Sequence, residues 1–262
     1  MNRKNRLKPR HETLYLDMAL GISGDMFSAA CYAFMGDALR EKFLMRTRKG
    51  CIGLGGSVEL RECSCGSERG YAVAHIFPKG ERGISAGEAS EAIGRIACDL
   101  GLSAKGEMFA MSIFSDIVRA ESKAHGVGVD AVHLHEIGRP AGLINIASAG
   151  LCYDLLELGD RGIVGSVISV GRGATMTEHG RLRVPTPASA SLLAGLKSKA
   201  GPFDGEMATP TGIAIVKKLI SEQTEDLPAP GKQGVGFGSK SFEGVVGYTR
   251  LFEKGGPVNE GE

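Results

Sequence analysis

Apolar and polar positions follow two different periods along this chain, and the changes of period mark out its elements. Thr13 to Asp17 places Leu14 and Leu16 on one side of a short extended run, the two-residue repeat of a strand. After Gly21-Ile22-Ser23-Gly24-Asp25 the repeat lengthens, and Met26, Ala30, Ala33 and Phe34 share a helical face. Ser23 suits the cap of that helix, and Asp25 in its first turn suits the positive end of the dipole. Residues 52–77 alternate again, with Val58 and Leu60 followed by Tyr71, Val73, His75 and Phe77, which predicts a strand pair turning between Gly66 and Gly70. Pro78 to Gly87 is the clearest break and predicts a loop or a division between two lobes. Two helices follow: Glu88 to Leu100, ended by Gly101, and Ala104 to His125, ended by Gly126. The second carries Phe109, Ile113, Ile117, Ala120 and Ala124 on one stripe.

Asp130 to Glu136 returns to alternation and predicts a strand with Val132 and Leu134 inward and His133 and His135 together on the other face. Pro140 opens a helix whose stripe, Ile144, Ala147, Leu151, Leu155 and Leu158, runs to Gly159. Ile163 to Val170 reads as a strand. Thr186-Pro187 and Thr209-Pro210 each set a hydroxyl cap before a proline at a helix start, and the second helix buries Ile213, Val216 and Ile220. Gly234 to Gly238 predicts a tight turn and Val245 to Phe252 a final strand. Strands and helices alternating in this way predict an α/β protein, with α+β as the alternative, built on a central mixed sheet with helices packed on it. Residues 1–12 read as a solvated basic tail, 13–254 as one domain and 255–262 as a polar tail.

Composition narrows the function. The chain has 262 residues, 42% of them apolar, enough for a core of ordinary size. With 31 Lys and Arg against 30 Asp and Glu the formal charge is +1, which argues against a nucleic-acid binder and against an acidic disordered chain. No apolar run nears the ~18 residues of a membrane span, and no signal-type apolar block follows the basic start, so a cytoplasmic protein is expected, without membrane partners. The 39 glycines have no three-residue period and sit where strands meet helices. Six cysteines include no CxxC pair; Cys63-Ser64-Cys65 could serve a soft metal, but free reduced thiols are the plainer reading. The phosphate-loop, GxSxG and HExxH fingerprints are absent, and Gly234, Gly236 and Gly238 open no helix that a dinucleotide site would need.

Three constellations can carry chemistry. On a strand, His133 and His135 would point the same way about 6.6 Å apart, close enough for two imidazoles to lean onto one divalent ion with Glu136 adding an oxygen. A solvated strand face is the competing reading. The strand–GISGD–helix turn offers backbone N–H groups for an anion, or Asp17 and Asp25 for a hydrated cation, or an ordinary capped turn. Gly171-Arg172-Gly173 with Thr175, Thr177 and His179 reads either as a functional loop at a strand end or as a solvated hairpin. His75 in a strand and His125 at a helix C-terminus read as structural.

Taken together, LYLDMALGISGDM (14–26), VHLHEIG (132–138), EHGRLRVPTPA (178–188), GEMATPTG (205–212) and GVGFGS (234–239) resemble the LarC family, in the expected order over about residues 13–252. The resemblance implies insertion of nickel into pyridinium-3,5-bisthiocarboxylic acid mononucleotide, a CTP-dependent step of lyase class in biosynthesis of the nickel-pincer cofactor. It implies His133, His135, Glu136 and Asp25 as metal ligands. Gly21, Ser23, Gly24 and Arg172 would receive the phosphate of the nucleotide cofactor precursor, and His179 would be a proton carrier or a further ligand. Three departures qualify it. Full-length members are longer, with a C-terminal domain associated with CTP, so CTP is expected only through that domain and a separate C-terminal LarC-like chain is an expected partner. The His-rich tract of many members has no counterpart around Pro78 to Gly87. The family's AVDSI-x-DI after the HE-[VI]-G stretch has lost both acidic positions, to Ala141 and Asn145. A non-catalytic metal-binding or scaffold subunit with a degraded site is therefore the alternative, and self-association stays open.

Overall fold

The computed structural model describes residues 12–78 and 83–255. Apart from Glu12 and Gly255, the two expected tails lie outside the described residues, as do residues 79–82 of the expected break. The first part of the chain forms strand β1 (Leu14–Asp17), helices α1 (Gly24–Phe34) and α2 (Asp37–Gly53), and the hairpin of β2 (Ser57–Cys65) and β3 (Glu68–Ile76). A helical stretch follows: the short β4 (Ile84–Ser85), α3 (Ala86–Leu100), α4 (Ala104–His125), the short β5 (His133–Leu134) and α5 (Pro140–Leu155). Then come β6 (Ile163–Ser166), β7 (Ile168–Ser169), β8 (Gly171–Arg172) and the hairpin of β9 (Ala174–Thr177) and β10 (Gly180–Arg183). The chain ends with α6 (Pro187–Leu192), β11 (Ser198–Lys199), β12 (Gly205–Glu206), α7 (Pro210–Leu219), β13 (Glu222–Thr224), β14 (Pro230–Phe242) and β15 (Val245–Lys254).

Seven strands make one mixed sheet in the order β13-β6-β1-β15-β14-β3-β2. β1 runs parallel to β6 and antiparallel to β15, so the first strand is clamped centrally with Leu14 and Leu16 wholly buried. This is the α/β architecture with a mixed sheet that the alternation of periods predicts. Helix α1 lies across β14, β3 and β15, and α5 packs between α1, α3 and α4. Phe27 and Phe43 are fully buried between these layers, each worth roughly 2–3 kcal/mol of apolar transfer. The thiols of Cys31 on α1 and Cys152 on α5 meet in the same core, where burial pushes the Cys31 thiol well above its usual range. All six cysteines are free.

Helix signals are met where the chemistry is local. Ser23 caps α1 by accepting from the Met26 N–H at 3.4 Å. Ser85 and Glu88 form a reciprocal capping box on α3. Gly101 and Gly126 end α3 and α4 in the left-handed conformation, at φ 63° and 67°.

Four expectations need correction. Asp130 to Glu136 is not a continuous strand: a 3-10 turn covers Val129–Ala131, β5 holds only His133 and Leu134, and the chain bends at His135. Val132 and Leu134 are buried as the alternation requires, but β5 pairs only with the two residues of β4. The strand expected over Ile163 to Val170 is broken at Val167, since β6 joins the large sheet while β7 pairs with β11. The helix from Pro140 stops at Leu155, and Leu158 belongs to a separate 3-10 turn.

Gly234 to Gly238 is not a turn but the middle of β14. A side chain on Gly234 would overlap the Ala30 carbonyl oxygen, and one on Gly236 the Met26 carbonyl oxygen. These glycines let α1 lie directly on the strand. Helix α2 was not foreseen at all. Its buried positions, Phe43, Thr47, Gly50 and Cys51, form too thin a stripe to read as a period.

Candidate functional site

Sheet and helices leave a cavity of about 560 Å³ where several element ends converge. Its walls come from the starts of α1, α5, α6 and α7, the last turn of α4, the bend after β5 and the tip of the β9–β10 hairpin, with β12 and β14 adding side chains. The starts of α1 and α7 lie side by side because Ile22 and Ala208 form a parallel bridge: Ile22 N–H donates to Met207 O at 3.0 Å and Thr209 N–H to Ile22 O at 3.0 Å. Close approach depends on glycine here, since Gly21 sits at φ 96° with no room for a side chain beside the Met207 carbonyl.

Three imidazoles meet at one end of the cavity. The His179 ring, at the hairpin tip, lies 4.7 Å from that of His135 and 4.9 Å from that of His125, centroid to centroid and edge to face. His125 is at the end of α4, where Glu121 one turn earlier places Oε2 3.5 Å from its Nε2. Carboxylates share the cavity with them: Asp25, Glu121, Glu136, Glu178 and Glu206 all line it. Burial lowers the His135 pKa, and the neighbouring His179 and His125 rings lower it further. Burial raises the Glu121 pKa against the pull of His125 and His179, with Glu136 adding to the rise. Glu206 is likewise raised by burial, although Lys240 approaches to 3.5 Å and opposes the shift. His135 is thus biased towards a free lone pair, and Glu121 and Glu206 towards holding protons that a divalent cation would displace. Arg139 at the start of α5 pairs with Glu178 and ties the hairpin tip to the rim.

The expected site residues divide. Ser23, Gly24, Asp25, His135, Glu136 and His179 all line this cavity. Ser23 Oγ donates to Asp25 Oδ1 while also capping α1. His133, Gly21 and Arg172 are not among the lining residues. His133 is exposed, paired in register with Ser85, because the strand that would have set it beside His135 ends one residue too soon. Gly21 is buried in the turn itself. Arg172 is exposed and directs Nε to Asp204 Oδ1 at 2.9 Å. Gly171 and Arg172 form β8, paired with β12, and the hairpin runs over Ala174–Arg183; its tip, rather than Arg172, reaches the cavity.

His125, Glu121, Glu206, Lys240 and Asn145 are the wall residues that sequence reasoning passed over. They are scattered along the chain. Glu206 lies in the GEMATPTG motif and Asn145 in the altered stretch after the HEIG segment, but nothing in the sequence joins them to the others, and only the fold does. Among the described residues, no group of three His, Cys, Asp or Glu side chains stands in ligating position as the side chains lie. The three rings touch edge to face, and sharing an ion requires them to turn their nitrogens inward.

Fold and cavity together define an α/β protein whose central cavity mixes imidazole and carboxylate donors, the ligand chemistry of a divalent transition metal. The chain belongs to the nickel insertion protein family, whose model matches residues 14–261. It is 35% identical over 146 residues to the pyridinium-3,5-bisthiocarboxylic acid mononucleotide nickel insertion protein of Alkaliphilus metalliredigens, covering 54% of this chain and 34% of that one. The protein of the same name from Thermotoga sp. strain RQ2 is 36% identical over 156 residues, 57% of this chain and 38% of its own. A Geobacter sulfurreducens relative named for nickel insertion aligns more widely, at 32% identity over 256 residues, 95% of this chain and 62% of its own. This chain therefore spans less than two thirds of the length of each of these relatives. No solved structure matches it.

Proposed function

We propose that this chain takes part in inserting nickel into pyridinium-3,5-bisthiocarboxylic acid mononucleotide, and that its cavity receives the metal ion and the organic ligand together. The observation that carries this reading is the contiguous His125–His179–His135 cluster, walled by carboxylates and set beside paired helix starts. Nickel is the substrate here, and imidazole with carboxylate oxygen suits it. His135 and His179 offer ring nitrogens, His125 a third, and Glu136 and Glu121 the oxygens, while Asp25 lies with the start of α1. At the other end the first-turn N–H groups of α1, which no intrahelical carbonyl can satisfy, face an anionic part of the nucleotide. While its lone pair is not on the metal, His179 on the hairpin tip serves instead as the base that takes a proton from the ligand ring. His133 and Arg172 stand outside the cavity wall, so the reading assigns them no contact with the metal or the nucleotide.

The relatives' names support insertion over a scaffold role. Because those relatives are longer, the CTP-dependent part of the chemistry is assigned to the portion of them that this chain does not span, supplied by a C-terminal LarC-like partner.

The test is calorimetric titration of nickel into the full chain and into a His135→Ala/His179→Ala variant of unchanged fold. The reading requires at least about a 30-fold loss of affinity, some 2 kcal/mol, on removing two ligands. Equal affinity in the two proteins would sink it.

A further inference from the structure

Away from the imidazole cluster, the cavity wall carries a second polar device. His75 on β3 places Nδ1 2.9 Å from Asn145 Oδ1 on α5, while its Nε2 is buried without a partner. A buried N–H with no acceptor is rarer and costlier than a bare ring lone pair. The proton of the neutral ring therefore sits on Nδ1, and His75 donates to Asn145 Oδ1. Burial keeps the ring neutral down to a pKa of about 4, in spite of the Asn145 hydrogen bond and the nearby Asp25 charge.

That bond engages the carbonyl oxygen of the Asn145 amide and turns its nitrogen the other way. Asn145 lines the cavity where α1 and α7 begin: a Cβ on Gly24 would stand 3.0 Å from Asn145 Cβ and 3.0 Å from Thr211 Cγ2. Among the described residues Nδ2 makes no hydrogen bond, and it is not sealed from solvent either. It faces the open cavity beside the free N–H groups of Gly24 and Asp25 in the first turn of α1.

We propose that His75 is a positioning residue, fixing the Asn145 carboxamide with its NH2 toward the cavity to donate to an acid arm of the pyridinium ring. The identity of that arm, a carboxylate or thiocarboxylate, rests on the function proposed above; the orientation of the amide does not. An amide NH2 has no lone pair to offer a cation. Position 145 therefore recognises an acceptor on the organic ligand and leaves nickel to the imidazole end. His75 acts only through Asn145.

The test uses the full chain, isotope-labelled and free of nickel, titrated with pyridinium-3,5-dicarboxylic acid mononucleotide, the oxygen analogue of the ligand. The Asn145 side-chain NH2 resonances shift in step with saturation. Affinity falls about 10-fold in Asn145→Asp, which loses the donor and adds a like charge, and about 10-fold in His75→Phe. His75→Gln, whose amide can still donate to Oδ1, stays within about 3-fold of wild type. Unmoved Asn145 resonances at saturation would overturn the proposal, as would wild-type affinity in a folded His75→Phe chain or no binding of the analogue at all. If His75→Phe does not fold, the Asn145 resonances and Asn145→Asp decide. The nickel titration above involves neither residue, so the two readings fail separately.

Discussion

Single residues here show how environment, rather than residue type, assigns a role. His75 and His125 look alike in the sequence, one in an alternating strand and one at a helix end. The fold gives the first a buried ring that stays neutral and the second a place in the ring cluster. The buried ring has a consequence for stability. Its folded pKa, about 4, lies below the ordinary 6.5, so in acid the unfolded chain takes up a proton that the folded chain refuses. Stability is therefore lost as pH falls from about 6.5 towards 4, by about 2–3 kcal/mol from this group. Urea unfolding at pH 7 and pH 4.5 measures it: the wild type shows this extra loss and a folded His75→Phe chain does not. An equal acid loss in both would assign the effect to other groups.

Elements with a strong local signal could be read directly. The β2–β3 hairpin, α3 and α4 each have an unbroken period and a glycine or serine boundary, and each lies within a few residues of its expected place. What failed was governed by distant contacts. The glycines of β14 look like turn residues, yet their purpose is the close approach of α1, which lies about 200 residues earlier in the sequence. Gly236→Ala accordingly forces strand and helix apart and costs about 3 kcal/mol, whereas Gly66→Asn, at a turn with φ 58° and nothing within 4 Å, changes stability by less than about 1 kcal/mol. Thermal melts of the two variants check the contrast; equal shifts would show that helix contact does not explain the β14 glycines. The His133/His135 pairing failed for a similar reason. Its alternation was real, but β4 offers only two residues for pairing, so the strand ended and the chain turned His135 alone into the cavity.

For the molecule as a whole, the family was legible in short motifs and is confirmed by a match over nearly the entire chain. The cavity was only half legible. Ser23, Gly24, Asp25, His135, Glu136, His179 and Glu206 stood in those motifs, but His125, Glu121 and Lys240, which complete the wall, come from α4 and β14 outside them. The arrangement of helix starts explains why such distant segments must be present together: α1 and α7 are bridged at Ile22 and Ala208, and α5 brings Asn145 against Gly24. The central claim is that nickel sits among the imidazoles of this cavity. X-ray absorption of the nickel-loaded chain measures that directly through the multiple-scattering signature of bound imidazole. The account predicts at least two imidazoles on nickel in the wild type, with that number falling in His135→Ala and in His179→Ala but not in His133→Ala. A nickel spectrum unchanged by His135→Ala and His179→Ala, or one that loses its imidazole signal with His133→Ala alone, would contradict it.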